Sequence, residues 1–533
     1  YIMYIIYSGL RNLNILERKS VLAIVNSMAL SGLDGYLVSI QVDISDGLPY
    51  FEIVGLPDAS VRESKERVKT AIKNSKIHLN SKRIIINLAP ANTRKEGSKF
   101  DLPIAIGILV ASKVIKAKGL KEFLAESIFI GELSLNGNVE KVNGILATVI
   151  ESKKKNIKRI FLPKDNVNEA AMVEGIEVFP VENLNELINC LNRKSEIKKA
   201  NFYSIDIENK VNYNMDFSEV QGQENVKRAL EIVAAGGHNC CLIGGPGVGK
   251  TMLAKRLPTI LPQMTFEESL ETTKIYSIAG LVSKENPLIL ERPFRSPHYS
   301  ITTTSLIGGG TIPKPGEISL AQYGVLFLDE LTEFKRSTIE TLRIPLEDKK
   351  IIISRLNTVV TYPANFILVA SMNPCPCGYY GSKNKKCICK PAQIKKYINK
   401  ISGPLLDRMD LHIEVESANY KQLNSNEKVE SSSEIQKRVN AARKLQVERY
   451  KKHKIYSNSE LTPELIKKYC ELDSKSQNLL DKAFSNLGLS ARGYNKILKV
   501  ARTIADLEGK EKIELSNVAE AIQYRSLDRK YWN

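Results

Sequence analysis

Residues 240–251 read CCLIGGPGVGKT, and no other stretch of the 533-residue chain restricts its fold as strongly. Apolar residues of a buried strand run into G-x-x-x-x-G-K-T, from Gly244 to Thr251, and the helix-like MLAKRLPTIL follows. Glycines at this spacing let successive backbone N–H groups face phosphate oxygens, so Gly244, Gly245, Pro246, Gly247, Val248 and Gly249 form a predicted phosphate cradle. Lys250 offsets the phosphate charge and Thr251 offers its hydroxyl to Mg²⁺, so ATP and Mg²⁺ are the expected ligands. The stretch GVLFLDEL (324–331) reads as a central strand ending in Asp329 and Glu330. Asp329 would hold the metal through water and Glu330 would polarise an attacking water. Two carboxylates at a strand end can also cap a helix, but the P-loop upstream favours the metal site. FILVASMNP adds a third strand, ending in Asn373.

A chain this long exceeds one hydrophobic core, so three or four domains are expected. Its apolar fraction of 43% and charged fraction of 26% are those of globular protein. No apolar run spans a membrane; even DLPIAIGILVASKVI carries Asp101 and Lys113. Eight cysteines, half of them clustered, do not form a secreted disulfide framework, which places the chain in the cytoplasm. A net charge of +18 suits a phosphate-rich partner, although a lysine-rich proteome gives the same charge. Residues 1–20 are apolar and basic but lack a cleavage site, and are expected to precede a true start near Val21.

Longer motifs carry a family resemblance. DFSEVQGQENVKRAL, the P-loop, the Asp329–Glu330 pair, Asn373 and SGPLLDRMD together resemble an AAA+ ATPase. The resemblance implies that Asn373 is a sensor 1 residue and Arg408 an arginine finger reaching a neighbouring subunit. It also implies that Arg492, in LSARGYNKILKVARTIADL, is the sensor 2 arginine and that the assembly is a homo-hexamer. The run from Arg292 to Leu331 resembles the magnesium-chelatase-like branch, in which a helix-2 insert precedes the Asp–Glu strand; Gly308–Gly310, Pro313 and Pro315 suit its projecting turn. GLPYFEIVGLPDASVRESKERVKTAIKNS, INLAPANTRKEGSKFDLPIAIGIL and GELSLNGNVEKVNGIL are similar to the Lon-protease-type domain of the ComM/YifB family.

That family implies an α/β multidomain chain: a Lon-protease-like α+β domain, a P-loop AAA+ α/β core and a helical C-terminal lid. The expected boundaries are 1–20 for the extension, 21–190 for the Lon-like domain, 191–215 for a linker, 216–416 for the core and 417–533 for the lid. The implied function is an ATP-driven hexameric DNA motor, with helicase or branch-migration activity on recombination intermediates in natural transformation. Single-stranded or branched DNA and recombination proteins are its implied partners, with no membrane. Laid against the Lon pattern, the serine position falls on Lys99, beside Ser98, and the lysine position falls on Leu146, so a Ser–Lys protease is not expected. Chelatase subunits resemble the AAA+ core alone, and DISDG (43–47) does not complete the metal site of their larger partner. An ATP-driven protein remodeller, a chelatase-like ATPase and a nucleotide-gated scaffold remain alternatives.

Four cysteines follow Asn373 within SMNPCPCGYYGSKNKKCICKP: Cys375, Cys377, Cys387 and Cys389. Two C-x-C corners can close a tetrahedral structural Zn²⁺ site, with free thiols, a redox pair or Fe–S as alternatives. Lys383, Lys385 and Lys386, with Tyr379 and Tyr380, would suit phosphate contact and base stacking, and PAQIKKYINKI beyond the cluster leads to Arg408, which a closed site would brace. Cys190, Cys240, Cys241 and Cys470 read as core residues.

Overall fold

The computed structural model describes residues 22–79, 82–202, 213–310, 313–355, 358–382, 385–416, 429–527 and 531. The expected extension at 1–20, part of the expected linker and Lys383 lie outside the described residues. The chain divides into two compact units, Tyr1–Ile205 with Ser277–Pro287, and Asp206–Tyr276 with Leu288–Asn533.

In the first unit, strands β1 (Ala23–Ser31), β2 (Asp34–Ser45), β3 (Tyr50–Val54), β4 (Arg83–Ala89) and β5 (Ser127–Phe129) precede a small hairpin, β6 (Glu132–Leu133) and β7 (Val139–Glu140). The strands β8 (Arg159–Pro163) and β9 (Glu177–Val181) follow. Seven of these form one sheet in the order β3-β4-β2-β1-β5-β8-β9. β2 pairs antiparallel with both β1 and β4, and the other neighbours run parallel. Alternation in RIIINLA turns Ile84, Ile86 and Leu88 inward from β4, as the sequence pattern requires. The Asn136-Gly137 signal makes the β6–β7 turn, where Gly137 takes a φ of 90° and its N–H donates to Ser134 O at 2.9 Å.

Helix α1 (Ala59–Asn74) starts where the Asp58 carboxylate accepts the Val61 N–H at 2.7 Å, and buries Val61, Val68, Ala71 and Ile72 along one stripe. Helix α2 (Asp101–Ala111) is apolar on nearly every side and therefore buried almost throughout. Gly107 lets it lie against β2: a Cβ there would come 2.6 Å from Val42 Cγ2. Gly107→Ala is expected to cost about 1–3 kcal/mol of stability through overpacking, read as a lower denaturant midpoint with unchanged slope.

The two positions that matter to a Lon-type dyad lie in this unit. Ser98 Oγ donates to the Glu132 carboxylate, and Lys99 is half-buried, its amine lowered by desolvation to about 8. Leu146, at the start of helix α3 (Ile145–Lys154), is fully buried. Its N–H donates at 2.9 Å to Glu169, which also accepts from Ser277 Oγ. The returning segment Ser277–Pro287 is fastened here further, by Gly144 N–H to Ser277 O (3.0 Å) and Lys141 Nζ to Val282 O (2.8 Å).

The second unit is built on a parallel sheet. Its strands are β10 (Cys240–Ile243), β11 (Phe294–Arg295), β14 (Val325–Leu328), β17 (Ile367–Met372) and β18 (Leu411–Glu414), in the order β11-β14-β17-β10-β18. CCLI and VLFL are buried at every residue, as strands covered on both faces must be. Two hairpins interrupt this pattern, β12 (Gly308–Gly309) with β13 (Lys314–Pro315), and β15 (Lys350–Arg355) with β16 (Thr358–Pro363).

Helices α4 (Glu224–Gly236), α5 (Lys250–Ile260), α6 (Arg343–Asp348), α7 (Pro391–Ile398), α8 (Ser432–Tyr450) and α9 (Ala491–Leu507) surround the sheet and the C-terminal region. Leu230 of α4, Leu257 of α5, Val439 of α8, Ile497 of α9 and Val369 of β17 share one hydrophobic core, so the C-terminal helices are packed into the unit that carries the P-loop. Among the described residues, no helix is long and apolar enough to cross a membrane.

Candidate nucleotide-binding site

The strand order puts β17 between β10 and β14, so the P-loop, Asn373 and the Asp329–Glu330 pair emerge side by side. This is the end of a parallel sheet at which ligands bind. Gly247 and Gly249 adopt φ values of 75° and 90°, which the tight turn requires and a side chain would strain. Gly244 is forced by proximity instead, because a Cβ there would come 2.4 Å from Val415 O.

Lys250 Nζ donates to Gly244 O (2.7 Å), Gly245 O (2.8 Å) and Asn373 Oδ1 (3.1 Å). Burial lowers the Lys250 pKa, while Asp329 and Glu330 pull it back toward the charged form. Thr251 Oγ1 donates to Asp329 Oδ2 at 2.7 Å, so hydroxyl and carboxylate share one small volume. These oxygens are the hard donors that a magnesium ion takes, and the pair fits the ion expected from the sequence.

Ser371 adds a contact that the sequence reading missed. Its hydroxyl donates to Asp329 Oδ1 and accepts the Glu330 N–H at 3.2 Å. The available signal was a lone hydroxyl in an otherwise apolar strand, two residues before Asn373. Glu330 is exposed and left-handed at φ 53°, a strained backbone for this residue type that turns the chain sharply after β14.

The two predicted arginines do not converge on these groups. Arg408 donates from Nε to Arg343 O (3.1 Å) and from Nη1 to Pro404 O (2.7 Å), and pairs through Nη2 with Glu347 Oε1 at 2.7 Å. Arg492 Nη2 lies 3.8 Å from the same Glu347 oxygen. A buried ion pair also fixes both segments. Asp410 Oδ1 meets Lys496 Nζ at 2.8 Å, and Asp410 Oδ2 accepts the Asn239 N–H at 2.9 Å, just before β10. Burial opposes the Asp410 charge, but Lys496 and His238 outweigh it and hold the carboxyl well below its usual range.

The four clustered cysteines come together, with their sulfurs all within 4.8 Å of one another. Sγ of Cys375 lies 3.3 Å from that of Cys377 and 3.7 Å from that of Cys387, and Cys377 to Cys387 is 3.6 Å. A zinc ion with bonds of about 2.3 Å needs tetrahedral edges of about 3.8 Å, whereas a disulfide needs about 2.05 Å. The spacing therefore fits four thiolates around one metal. At Cys377, burial works against ionisation, yet the Ile388 and Tyr379 amides help bring the thiol down to about 6.

Of the other cysteines, Cys240, Cys241 and Cys470 are buried, and burial pushes the thiols of Cys241 and Cys470 up to about 12. Cys190 is half-buried at the rim of its core rather than inside it, a correction to the core reading, because it falls near the C-terminal end of a short helix. Lys385 Nζ stands 5.0 Å over the Tyr379 ring, and Tyr380 packs edge-on against Tyr531, so Tyr380 is only partly available for stacking.

The β15–β16 hairpin was not anticipated, although KIIISR and TVVTYP alternate as a two-faced ribbon should. Ile351, Ile353, Val360 and Tyr362 are buried, while Lys350, Ile352, Ser354, Val359 and Thr361 are exposed. Tyr362 OH donates to Pro313 O at 2.8 Å, tying this ribbon to the β12–β13 turn.

Residues 216–423 match the family described as "Magnesium chelatase, subunit ChlI", 40–166 match "Subunit ChlI of Mg-chelatase", and 429–525 match its C-terminal part. The chain is 44% identical to Competence protein ComM of Haemophilus influenzae, over 95% of this chain and 98% of that one. It is 42% identical to Uncharacterized protein YifB of Escherichia coli, with the same coverage. The chain belongs to the ComM/YifB family. Its kinship to the chelatase subunit is not confined to the AAA+ region, since the match at 40–166 falls in the first unit. A stretch of 153 residues is also 25% identical to the archaeal Lon protease of Methanocaldococcus jannaschii.

Proposed function

We propose that the protein is a hexameric AAA+ ATPase that uses ATP to move along or remodel branched DNA. The observation that carries this reading is the meeting of Lys250, Thr251, Asp329 and Asn373 at three adjacent strand ends. The P-loop amides and Lys250 hold the phosphates, and Asn373 and Glu330 orient and polarise the attacking water. Thr251 and Asp329 hold Mg²⁺, which neutralises charge on the phosphates when bound. Arg408 and Arg492, gathered on Glu347 rather than at the P-loop of their own chain, serve the nucleotide of a neighbouring subunit. That division of labour makes the oligomer the active form. The four cysteines hold a structural zinc ion, and their low-spacing cluster supplies soft thiolate donors suited to it.

DNA as the polymer is supported by the competence role named for the Haemophilus relative, by the charge of +18 and by the two linked hairpins with their exposed face. Lys350 lies beside apolar Ile352 and Val359 on that face, which suits a phosphate backbone carrying stacked bases. ATP hydrolysis by the full chain, alone and with single-stranded, duplex, forked and three-stranded DNA, tests the reading. Several-fold stimulation by single-stranded or branched DNA is expected. Brisk hydrolysis indifferent to every DNA, with stimulation by a protein, would transfer the motor to protein remodelling.

A further inference from the structure

The cysteine cluster is joined in the sequence to Asn373 on one side and to Arg408 on the other, yet a third connection is made only in space. Gly378, the residue after Cys377, takes a φ of 81° and donates its N–H to Cys375 O at 2.9 Å, closing a turn within the first C-x-C corner. That turn lies directly on the P-loop. A Cβ on Gly378 would come 2.6 Å from Pro246 Cδ, and a Cβ on Gly245 would come 3.1 Å from Gly378 O. A side chain at Gly378 would therefore clash with the Pro246 ring, and one at Gly245 would press on the Gly378 carbonyl. Six residues, 373–378, carry the Lys250 partner Asn373, two of the clustered thiols and the P-loop contact.

We propose that the four-cysteine knuckle is a metal-dependent latch on the P-loop, so that metal occupancy sets nucleotide affinity. The idea rests on the zinc reading above. The knuckle has little core of its own: Cys375 and Gly378 are buried, but Pro376, Tyr380, Lys385, Lys386, Ile388 and Lys390 are exposed. A segment this poor in buried apolar contact takes its rigidity from cross-links, and a metal bound by four thiolates supplies them. When the metal leaves, the turn at Cys375–Gly378 loses its restraint at Cys387 and Cys389, and Pro246 loses the backbone that packs against it. The phosphate cradle then pays an ordering cost on binding nucleotide that the metal-bound form does not.

The test measures zinc content by elemental analysis and the affinity for a fluorescent ATP analogue on the same full-length samples. Removing the metal with a chelator, dialysing the chelator away and measuring with Mg²⁺ restored is expected to weaken the analogue about tenfold, and added Zn²⁺ is expected to restore it. Gly378→Ala probes the contact without touching a thiol, and should retain full zinc while weakening the analogue about tenfold. Zinc present in the purified protein with unchanged affinity after its removal would overturn the latch and leave the zinc reading standing. Failure of both purified and Zn²⁺-supplemented protein to bind the metal would overturn both. Normal affinity in a folded, zinc-loaded Gly378→Ala protein would also overturn the latch.

Discussion

Glu330→Gln is expected to bind ATP as the unaltered protein does and to hydrolyse it at least about a hundredfold more slowly, the range in which removal of a general base falls. The two carboxylates after β14 are held differently, and this separates their roles. Asp329 accepts hydrogen bonds from the Thr251 and Ser371 hydroxyls, which hold it at the metal position. Glu330 leaves the strand in a left-handed conformation, exposed, with its backbone N–H pinned to Ser371. The substitution retains size and most hydrogen-bonding capacity, so a loss of turnover with intact binding isolates the carboxylate. Lys250→Ala is the contrast, since it removes the cation from the cradle and should abolish binding itself. Single-turnover hydrolysis alongside equilibrium binding of an ATP analogue separates the two. Normal turnover in Glu330→Gln would remove Glu330 from the reaction.

Arg408→Ala is expected to lower hydrolysis about a thousandfold, the lower end of what an arginine finger contributes. The loss should be rescued in part by a partner that is itself inactive. If Arg408 acts on a neighbouring subunit, mixing Arg408→Ala with Lys250→Ala protein creates sites in which an intact P-loop faces an intact arginine. Activity of the mixture, above that of either variant alone, is the expected result. An arginine acting within its own chain gives no recovery on mixing. The three contacts of Arg408 with Arg343 O, Pro404 O and Glu347 make some loss of stability unavoidable, so complementation is the decisive readout rather than the single variant.

Much of the candidate nucleotide site was legible because its chemistry is local. Gly244 to Thr251 must be contiguous for their N–H groups to face one anion, and the apolar runs before Asp329 and Asn373 announce buried parallel strands. Elements with a strong single period were legible too, including β4 and helix α1, where two-residue alternation or a helical stripe has only one way to bury its apolar side. The β15–β16 ribbon was passed over because it lies between two stronger motifs. Ser371 was hidden because one hydroxyl in a strand carries no pattern of its own.

Sequence alone determined the family, and it marked out the candidate phosphate cradle and the four thiols as a candidate metal set, since each is written in adjacent or regularly spaced residues. Tertiary structure decided which distant groups meet. It brought Arg408 and Arg492, more than eighty positions apart by number, to one oxygen of Glu347, and it laid Gly378 on Pro246. It also returned Ser277–Pro287 to the first unit, where Ser277 and Leu146 share Glu169. The physical reason is the same in each case. A motif records what one stretch of chain can bind, whereas a contact between stretches depends on strand order and on close packing, for which a glycine or a single carboxylate leaves almost no trace in the sequence.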